Sequence, residues 1–362
     1  MGKVFNLGIQ THVSDVFFDV CRYVFDFFSP FGAASRLHWT GLIAFLLLGI
    51  GIYILQFKSK GEGGTNSSKD VKGLFGFLFP KKIYTTNSFR LDVKLYFANK
   101  LLSPVTSLVS KGLTIAIAIF VIDLGQKLTG NVWVEAAPDS SPGFWAVFWA
   151  TTIIVIATDF AIYLTHRLHH ENPVLWPFHK VHHSAEHLTP ITLYRKHPIY
   201  DFLGSLVKGS LLGVATGIVL FLFGIVEVKT VLGVQVFYFA FNLMGANLRH
   251  SHIWLSYGNL LSHIFISPAQ HQIHHSKAPK HHDKNYGQLL AIWDWMFGTL
   301  YIPKTREEIA FGVADEYGVD LPQVHNSLVQ AYITPFKEAR LALNKVKESR
   351  HDDSGDPIGT TL

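Results

Sequence analysis

The 362-residue sequence contains a single cysteine, Cys21. One thiol excludes an intramolecular disulfide framework and any metal site built on paired cysteines. Charge is scarce as well. Asp, Glu, Lys and Arg make up 16% of the chain, against roughly 25% in soluble globular domains, while 49% is hydrophobic. This balance argues for an integral membrane protein. The formal charge of +5 is small, and the basic residues gather in a few loops, which suits a membrane surface and not nucleic acid. Residues 1–38 lack the basic start and compact apolar run of a cleaved signal peptide. They instead carry an amphipathic stripe of Val16, Phe17, Val20, Val24 and Phe27.

What the sequence does have is long apolar runs. A helix crossing the hydrocarbon needs about 20 mostly apolar residues. Residues 39–57 form an uncharged run, and 144–164 form another, broken only by Asp159. Two more cover 203–223 and 231–248 and read as a helical hairpin. A weaker one covers 105–124, as a full span or a short re-entrant piece. The reading is therefore an all-α integral membrane fold of four to five transmembrane helices. Its expected organisation is an amphipathic segment 1–38, a first span 39–57, a basic interfacial segment 58–112, a catalytic domain 113–320, and a charged helix with a disordered tail over 321–362. A flexible linker is expected at 61–68, and 73–104 is expected on the membrane interface.

Lys and Arg in short loops mark the cytoplasmic side. Ten of them lie in 58–112, whereas 125–143 has only Lys127. Five spans then place 165–202 and everything after 249 in the cytoplasm, as a histidine-rich helical cap. No lysine-aspartate-glutamate-leucine retention signal is present, which favours a bacterial inner membrane over endoplasmic reticulum.

Histidine is present 20 times, sixteen of them between His166 and His282. "DFAIYLTHRLHH" puts Asp159, Tyr163, His166 and His170 on one helix face. His166 and His170, at i and i+4, can ligate one metal or two adjacent ones. Asp159 is the candidate catalytic acid, read as accepting a hydrogen bond from the ring nitrogen of a ligand that does not bind metal. Its plainer reading is a pairing with a Lys or Tyr across the bundle. "HKVHH" (His179, His182, His183) and "HQIHH" (His271, His274, His275) share the spacing H-x-x-H-H. On a helix positions 1 and 4 share a face and position 5 points about 100° further round, so one such box can serve two metals side by side. All-imidazole ligation suits iron, zinc or copper, and eight or more histidines exceed what one ion holds. Asp283, Asn285, Tyr286 and Asp294 follow the third box, either orienting its histidines or forming a turn and a helix start.

"DFAIYLTHRLHHENPVLWPFHKVHHS" followed by "SPAQHQIHHS" and "DKNYGQLLAIWDWMFGT" resembles the fatty acid hydroxylase and sterol desaturase superfamily of membrane-bound histidine-box di-iron oxygenases. The likeness runs from about 144 to 303. It implies that His166, His170, His179, His182, His183, His271, His274 and His275 are metal ligands, with His250 of "NLRHSH" a ninth. It places His252 beside the ligands and His197 either beside them, facing the substrate, or as a further ligand, and leaves His169 a bystander. It further implies two non-haem iron ions, with zinc able to replace them on purification, and O2 as co-substrate. The substrate would be a lipid drawn from the bilayer, hydroxylated or desaturated. Electrons would come from a separate donor, a reductase with ferredoxin or a small cytochrome, since no haem module or cysteine cluster is present.

Rival classes fit less well. A haem carrier needs histidine pairs inside the bilayer. A transporter needs ionisable residues along several spans, and only Asp159 and Lys208 intrude here. A zinc-binding membrane protein or hydrolase without redox chemistry is the alternative, but H-E-x-x-H, the usual source of a general base, does not occur.

Overall fold

The computed structural model describes residues 37, 39–59, 67–130, 143–224, 240–315 and 317–353. The stripe in 1–36, most of the 61–68 linker, the first part of the 231–248 arm and the tail beyond 353 lie outside the described residues. Among those described, the long elements are all helices, and β pairing is limited to the isolated bridges Phe265–Leu290 and Ala314–Asp320. The all-α reading holds.

In chain order the helices are α1 (Trp39–Ser59), α2 (Ser67–Leu78), a single turn Lys81–Tyr84, α3 (Asn87–Thr129), α4 (Phe144–Glu171), α5 (Trp176–His183), α6 (Pro198–Phe223), α7 (Gly258–Ile264), α8 (Pro268–His274), α9 (Ile292–Met296) and α10 (Leu328–Asp353). Among the described residues three of them, α3, α4 and α6, are long and apolar enough to cross a membrane, and the apolar stretch Gly41–Gln56 of α1 is shorter.

The largest departure from expectation is α3. An interfacial segment ending near 104 and a separate span from 105 are in fact one helix of 43 residues, about 65 Å long at 1.5 Å per residue. The domain boundary expected at 112/113 falls inside it. Pro104, the obvious breaker, has no N–H to give the Lys100 carbonyl. The Ser103 hydroxyl donates to that carbonyl instead, at 2.8 Å, so the helix continues. Thr86 caps its start by accepting from the Phe89 N–H, and Gly130 ends it in the left-handed region at φ 70°.

α3 and α6 run parallel and very close. Gly209, Gly213 and Gly217 face α3 at intervals of four, one above the other on a helix. A Cβ on Gly209 would lie 2.7 Å from the Ser110 carbonyl oxygen, and on Gly213 2.8 Å from Ile117 Cβ. Where lipid replaces water, helices gain from van der Waals contact and not from hydrophobic exclusion, and small residues permit that contact. Gly213→Leu is expected to force α6 off α3 at a cost of about 1–3 kcal/mol or more. It should appear as a lower melting temperature in detergent; an unchanged one would show the two helices are not so tightly apposed.

α4 lies antiparallel beside α6. Ala150 near its start packs on Val219, and Thr165 near its end meets Gly204. The C-terminal end of α4 therefore meets the N-terminal end of α6, and the short helices assemble there. Asn172 turns the chain from α4 into α5, its side chain accepting the N–H groups of Val174 and Leu175. α10 lies along α5, with Ala331 in a core shared with Val181, Leu91 and Leu95 and with Lys180 paired to Glu338 at 2.6 Å. The first half of α10, Leu328 to Glu338, is thus packed onto the histidine-bearing part.

Candidate metal centre

Each histidine box sits on a helix with its own start signal. In α8, Ser267 and Gln270 form a reciprocal capping box and Pro268 occupies the first turn. In α5, Pro177 does the same. In α4, His166 and His170 occupy the last two turns of a long helix.

These helices, together with His250 from the segment after Leu248, bring nine imidazoles into two groups. His166, His170, His179, His183 and His274 form one; His182, His250, His271 and His275 form the other. Within each group one ring nitrogen per residue lies within 4.8 Å of the others. All nine residues expected to be ligands are in the two groups, and His169 is in neither.

The division within a box differs from the expected one. Positions 1 and 5, not 1 and 4, share a group: His179 with His183, and His271 with His275. At 100° per residue position 5 is displaced by only 40° from position 1, whereas position 4 lies 60° to the other side. The fourth residue crosses over, so His182 of the second box joins the pair from the third, and His274 of the third joins the pairs from the first two. The boxes exchange their middle histidines, and the two groups become neighbours.

The donor atoms are prepared for cations. Nε2 of His166, His170, His183, His274 and His275, and both ring nitrogens of His179, are buried without a hydrogen-bond partner. Buried polar atoms are rarely left this way. Nε2 of His250 lies 3.3 Å from Nε2 of His182 and 3.2 Å from Nε2 of His271. Ligands at about 2.0–2.1 Å from a tetrahedral ion stand roughly 3.3 Å apart, so this spacing fits a shared cation. Burial, followed by the neighbouring imidazoles, pushes His179, His182, His183, His271 and His275 far below the ordinary histidine range. Burial takes His274 to about 4. The rings are neutral at pH 7, with lone pairs available to a metal.

Backbone carbonyls set the tautomers. A carbonyl only accepts, so Nδ1 of His166 donates to the Tyr286 carbonyl at 2.7 Å and Nδ1 of His274 to that of Lys284 at 2.8 Å. Nε2 is then left with its lone pair toward the group. The 283–287 loop is itself held firmly. Asp294 accepts from the N–H groups of Tyr286 and Gly287 and from the Thr299 hydroxyl. A Cβ at Gly287 would lie 2.5 Å from the Leu290 carbonyl oxygen. Asp283 and Asn285 adopt positive φ, 56° and 59°, and Asn285 is secured by bonds to Gln270 and Tyr301. Asp294 thus acts on His166 through the loop, while Asp283 lies 3.8 Å from Nδ1 of His170.

Asp159 requires a correction. Its oxygens accept from the N–H groups of Leu289 and Leu290 and from the Trp293 indole, at 2.9–3.1 Å, and from no histidine. It shares the helix face of His166 as expected, but seven residues separate them, about 10 Å along the axis. The loop amides reach the carboxylate and the imidazoles do not. Asp159→Asn turns an NH2 donor toward one of these donors and should cost about 1–3 kcal/mol of stability. Unchanged stability would show that the loop is held by other contacts.

His197 caps α6, accepting from the Ile199 N–H, and its Nε2 donates to the Tyr332 carbonyl. Both nitrogens are engaged, so it is no ligand. His252 donates to the Phe77 carbonyl and fastens the end of α2. His169 donates to the Thr165 carbonyl and lies against Tyr200.

The sequence reading missed several supports. Gln272 ties α8 to the segment bearing His250 through the carbonyls of Leu248 and Ile253. Arg195, fully buried, bonds the Val181 carbonyl and Ser184 at the end of α5 and the Asp92 carboxylate of α3. The S-x-x-Q capping pattern at 267–270 was visible in the sequence. The Arg195–Asp92 pair, 103 residues apart, had no local signal.

Beside both groups lies a cavity of about 300 Å³. His166, His179, His182, His250 and His271 line it from one side and α6 from the other.

The fatty acid hydroxylase family model matches residues 151–299. The chain is 32% identical over 173 residues to an ornithine lipid hydroxylase of Rhizobium tropici, covering 48% of each chain. It is 28% identical over 174 residues to an alkylglycerol monooxygenase of Danio rerio, 48% of this chain and 35% of the relative. It is 28% identical over 166 residues to a Delta(7)-sterol 5(6)-desaturase of Gibberella zeae, 46% and 42%. The chain thus aligns with about half or less of the length of these curated relatives. No solved structure matches it. The three histidine boxes, from His166 to His275, all lie within the region that matches the fatty acid hydroxylase family model.

Proposed function

We propose that this protein is a membrane-embedded di-iron oxygenase that hydroxylates or desaturates an unactivated C–H position of a lipid with O2 and two electrons. The observation that carries the reading is the pair of adjacent imidazole groups, in which Nε2 of His166, His170, His183, His274 and His275 and both ring nitrogens of His179 are buried without a hydrogen-bond partner. The names of the relatives, two lipid or alkylglycerol oxygenases and a sterol desaturase, support a lipid substrate.

His166, His170, His179, His183 and His274 would hold one iron and His182, His250, His271 and His275 the other. When bound, the irons supply reductive activation of O2. The chain's own residues do the rest. The Tyr286 and Lys284 carbonyls hold the proton on Nδ1 of His166 and His274 and keep Nε2 directed inward. The cavity between α4 and α6 admits the substrate beside five of the nine histidines and limits the water around it. Hydroxylation and desaturation differ in how the reacting carbon is oriented there, which is a property of the cavity and not of the ligands.

The electron donor is a separate protein, a reductase with ferredoxin or a small cytochrome. The histidine face is cytoplasmic by the distribution of Lys and Arg, in a bacterial inner membrane. Elemental analysis of protein purified in mild detergent tests the reading. Close to two metals per chain, mainly iron, with O2-dependent oxidation of a lipid extract under a chemical reductant, is the expected result. One metal or none defeats it.

A further inference from the structure

The cavity beside the histidines is not an apolar tunnel. Thr106, Thr165, Lys196, Tyr200, Ser205 and Lys208 are among the residues that line it. From α6 the lining residues Asp201, Gly204, Ser205 and Lys208 fall at offsets 0, 3, 4 and 7, one stripe of one helix face. Lys208 therefore faces the same space as the imidazoles, in a helix apolar enough to cross a membrane.

The other charges of the cavity have partners. Lys196 is 3.6 Å from Asp201 and lies over the Tyr200 ring. Arg249 donates to the Ile266 carbonyl at 2.6 Å and covers Phe241. Lys208 has no hydrogen-bond or ion-pair partner among the described residues. Asp201 lies seven residues away, about 10 Å along the axis, and is engaged by Lys196. The Ser205 and Thr106 hydroxyls donate to the backbone carbonyls of Asp201 and Ser103. A lysine within an apolar span costs several kcal/mol unless it faces a cavity and finds a counter-charge. Here the cavity is present, and the described residues supply no counter-charge within ion-pair distance.

We propose that the anionic group of the substrate, a phosphate or a carboxylate, is that counter-charge, and that Lys208 is a specificity-determining residue of the cavity. This rests on reading the cavity as the oxygenase's substrate chamber. An anion at Lys208 would sit about one turn, roughly 6 Å, beyond Gly204, which touches Thr165 next to His166. The polar end of the lipid would thus be fixed within the cavity, and a neutral lipid would leave the Lys208 ammonium unpaired within an apolar span, a penalty that favours the anionic one.

The test is binding and not turnover. Purified protein is titrated in neutral detergent with dioleoyl phosphatidic acid, oleate, dioleoylglycerol and inorganic phosphate, with bound adducts counted by native mass spectrometry. The wild type should prefer phosphatidic acid or oleate over dioleoylglycerol by about tenfold or more. Lys208→Met should erase the preference and Lys208→Arg retain it. Lys111→Met, which removes an exposed lysine of α3 outside the cavity, should leave it intact. Lys208-dependent binding of inorganic phosphate with no lipid preference supports the anion site but assigns it to a free anion. No preference in the wild type, or one that survives Lys208→Met, overturns the proposal. Metal content of the same samples separates the two readings: a lost preference with two metals present leaves the oxygenase standing, and Lys208-dependent binding without metal leaves the anion site standing.

Discussion

Alanine at His183 is expected to remove one metal per chain and leave the other in place, while alanine at the adjacent His182 removes the opposite one. The two residues are neighbours in sequence, yet they belong to different groups, because successive helical residues point 100° apart. Each variant should fall from about two metals toward one and lose turnover, since the two ions act as a unit. Neither should affect membrane insertion, because α5 lies outside the three long apolar helices. Elemental analysis can tell one bound metal from two. To identify which was lost, His274→Ala and His275→Ala serve as a second adjacent pair, His274 grouping with His183 and His275 with His182. The double variants His183→Ala/His274→Ala and His182→Ala/His275→Ala should each still retain about one metal. If His183→Ala and His182→Ala both keep two metals, the ligand assignment fails. Asp294→Asn should be milder, at about 10–100-fold in metal affinity, as expected of a group that orients a ligand from behind.

The largest effect on stability is expected at Arg195. Its side chain is fully buried, Asp92 is 1% exposed, and they meet at 2.9 Å. Thr192 donates to the second Asp92 oxygen at 2.6 Å, and Arg195 bonds the Val181 carbonyl and the Ser184 hydroxyl at 2.8 and 2.9 Å. Removing the cation alone leaves a carboxylate buried without its counter-charge. Arg195→Met should therefore cost about 3–5 kcal/mol. Asp92→Asn/Arg195→Met, which removes both charges, should recover part of that loss, because what remains is unmade hydrogen bonds and not a stranded ion. Val181 and Ser184 flank His182 and His183, so the single variant should also bind metal more weakly. Thermal unfolding in detergent with metal analysis checks both effects. A loss below about 1 kcal/mol would mean that water reaches the pair.

Much of the metal centre was legible in the chain before folding. Repeated i, i+4 histidines specify a helix face wherever a helix forms, so the box histidines could be named from spacing and resemblance together. The placement of Asp159 on the His166 face was legible for the same reason. Its partner was not, because the amides of Leu289 and Leu290 are 130 and 131 residues away and leave no mark on the local sequence. α3 was misread because its first half is aromatic and basic and its second half apolar, a change of composition that does not by itself end a helix, and the helix continues through Pro104.

By itself, the sequence determined that the chain carries long apolar helices suited to a membrane, that imidazole and not thiolate meets any metal, and that the histidines come in helical registers. These follow from composition and from the 3.6-residue period, both local properties. Tertiary structure alone decided that the two H-x-x-H-H boxes exchange their middle histidines and that carbonyls of the 283–287 loop set two of the tautomers. It also decided that Lys208 lines the histidine cavity with no charge of the described residues paired to it. Each of these is a contact between elements distant in sequence, and a local pattern holds no information about which distant group will occupy the other side.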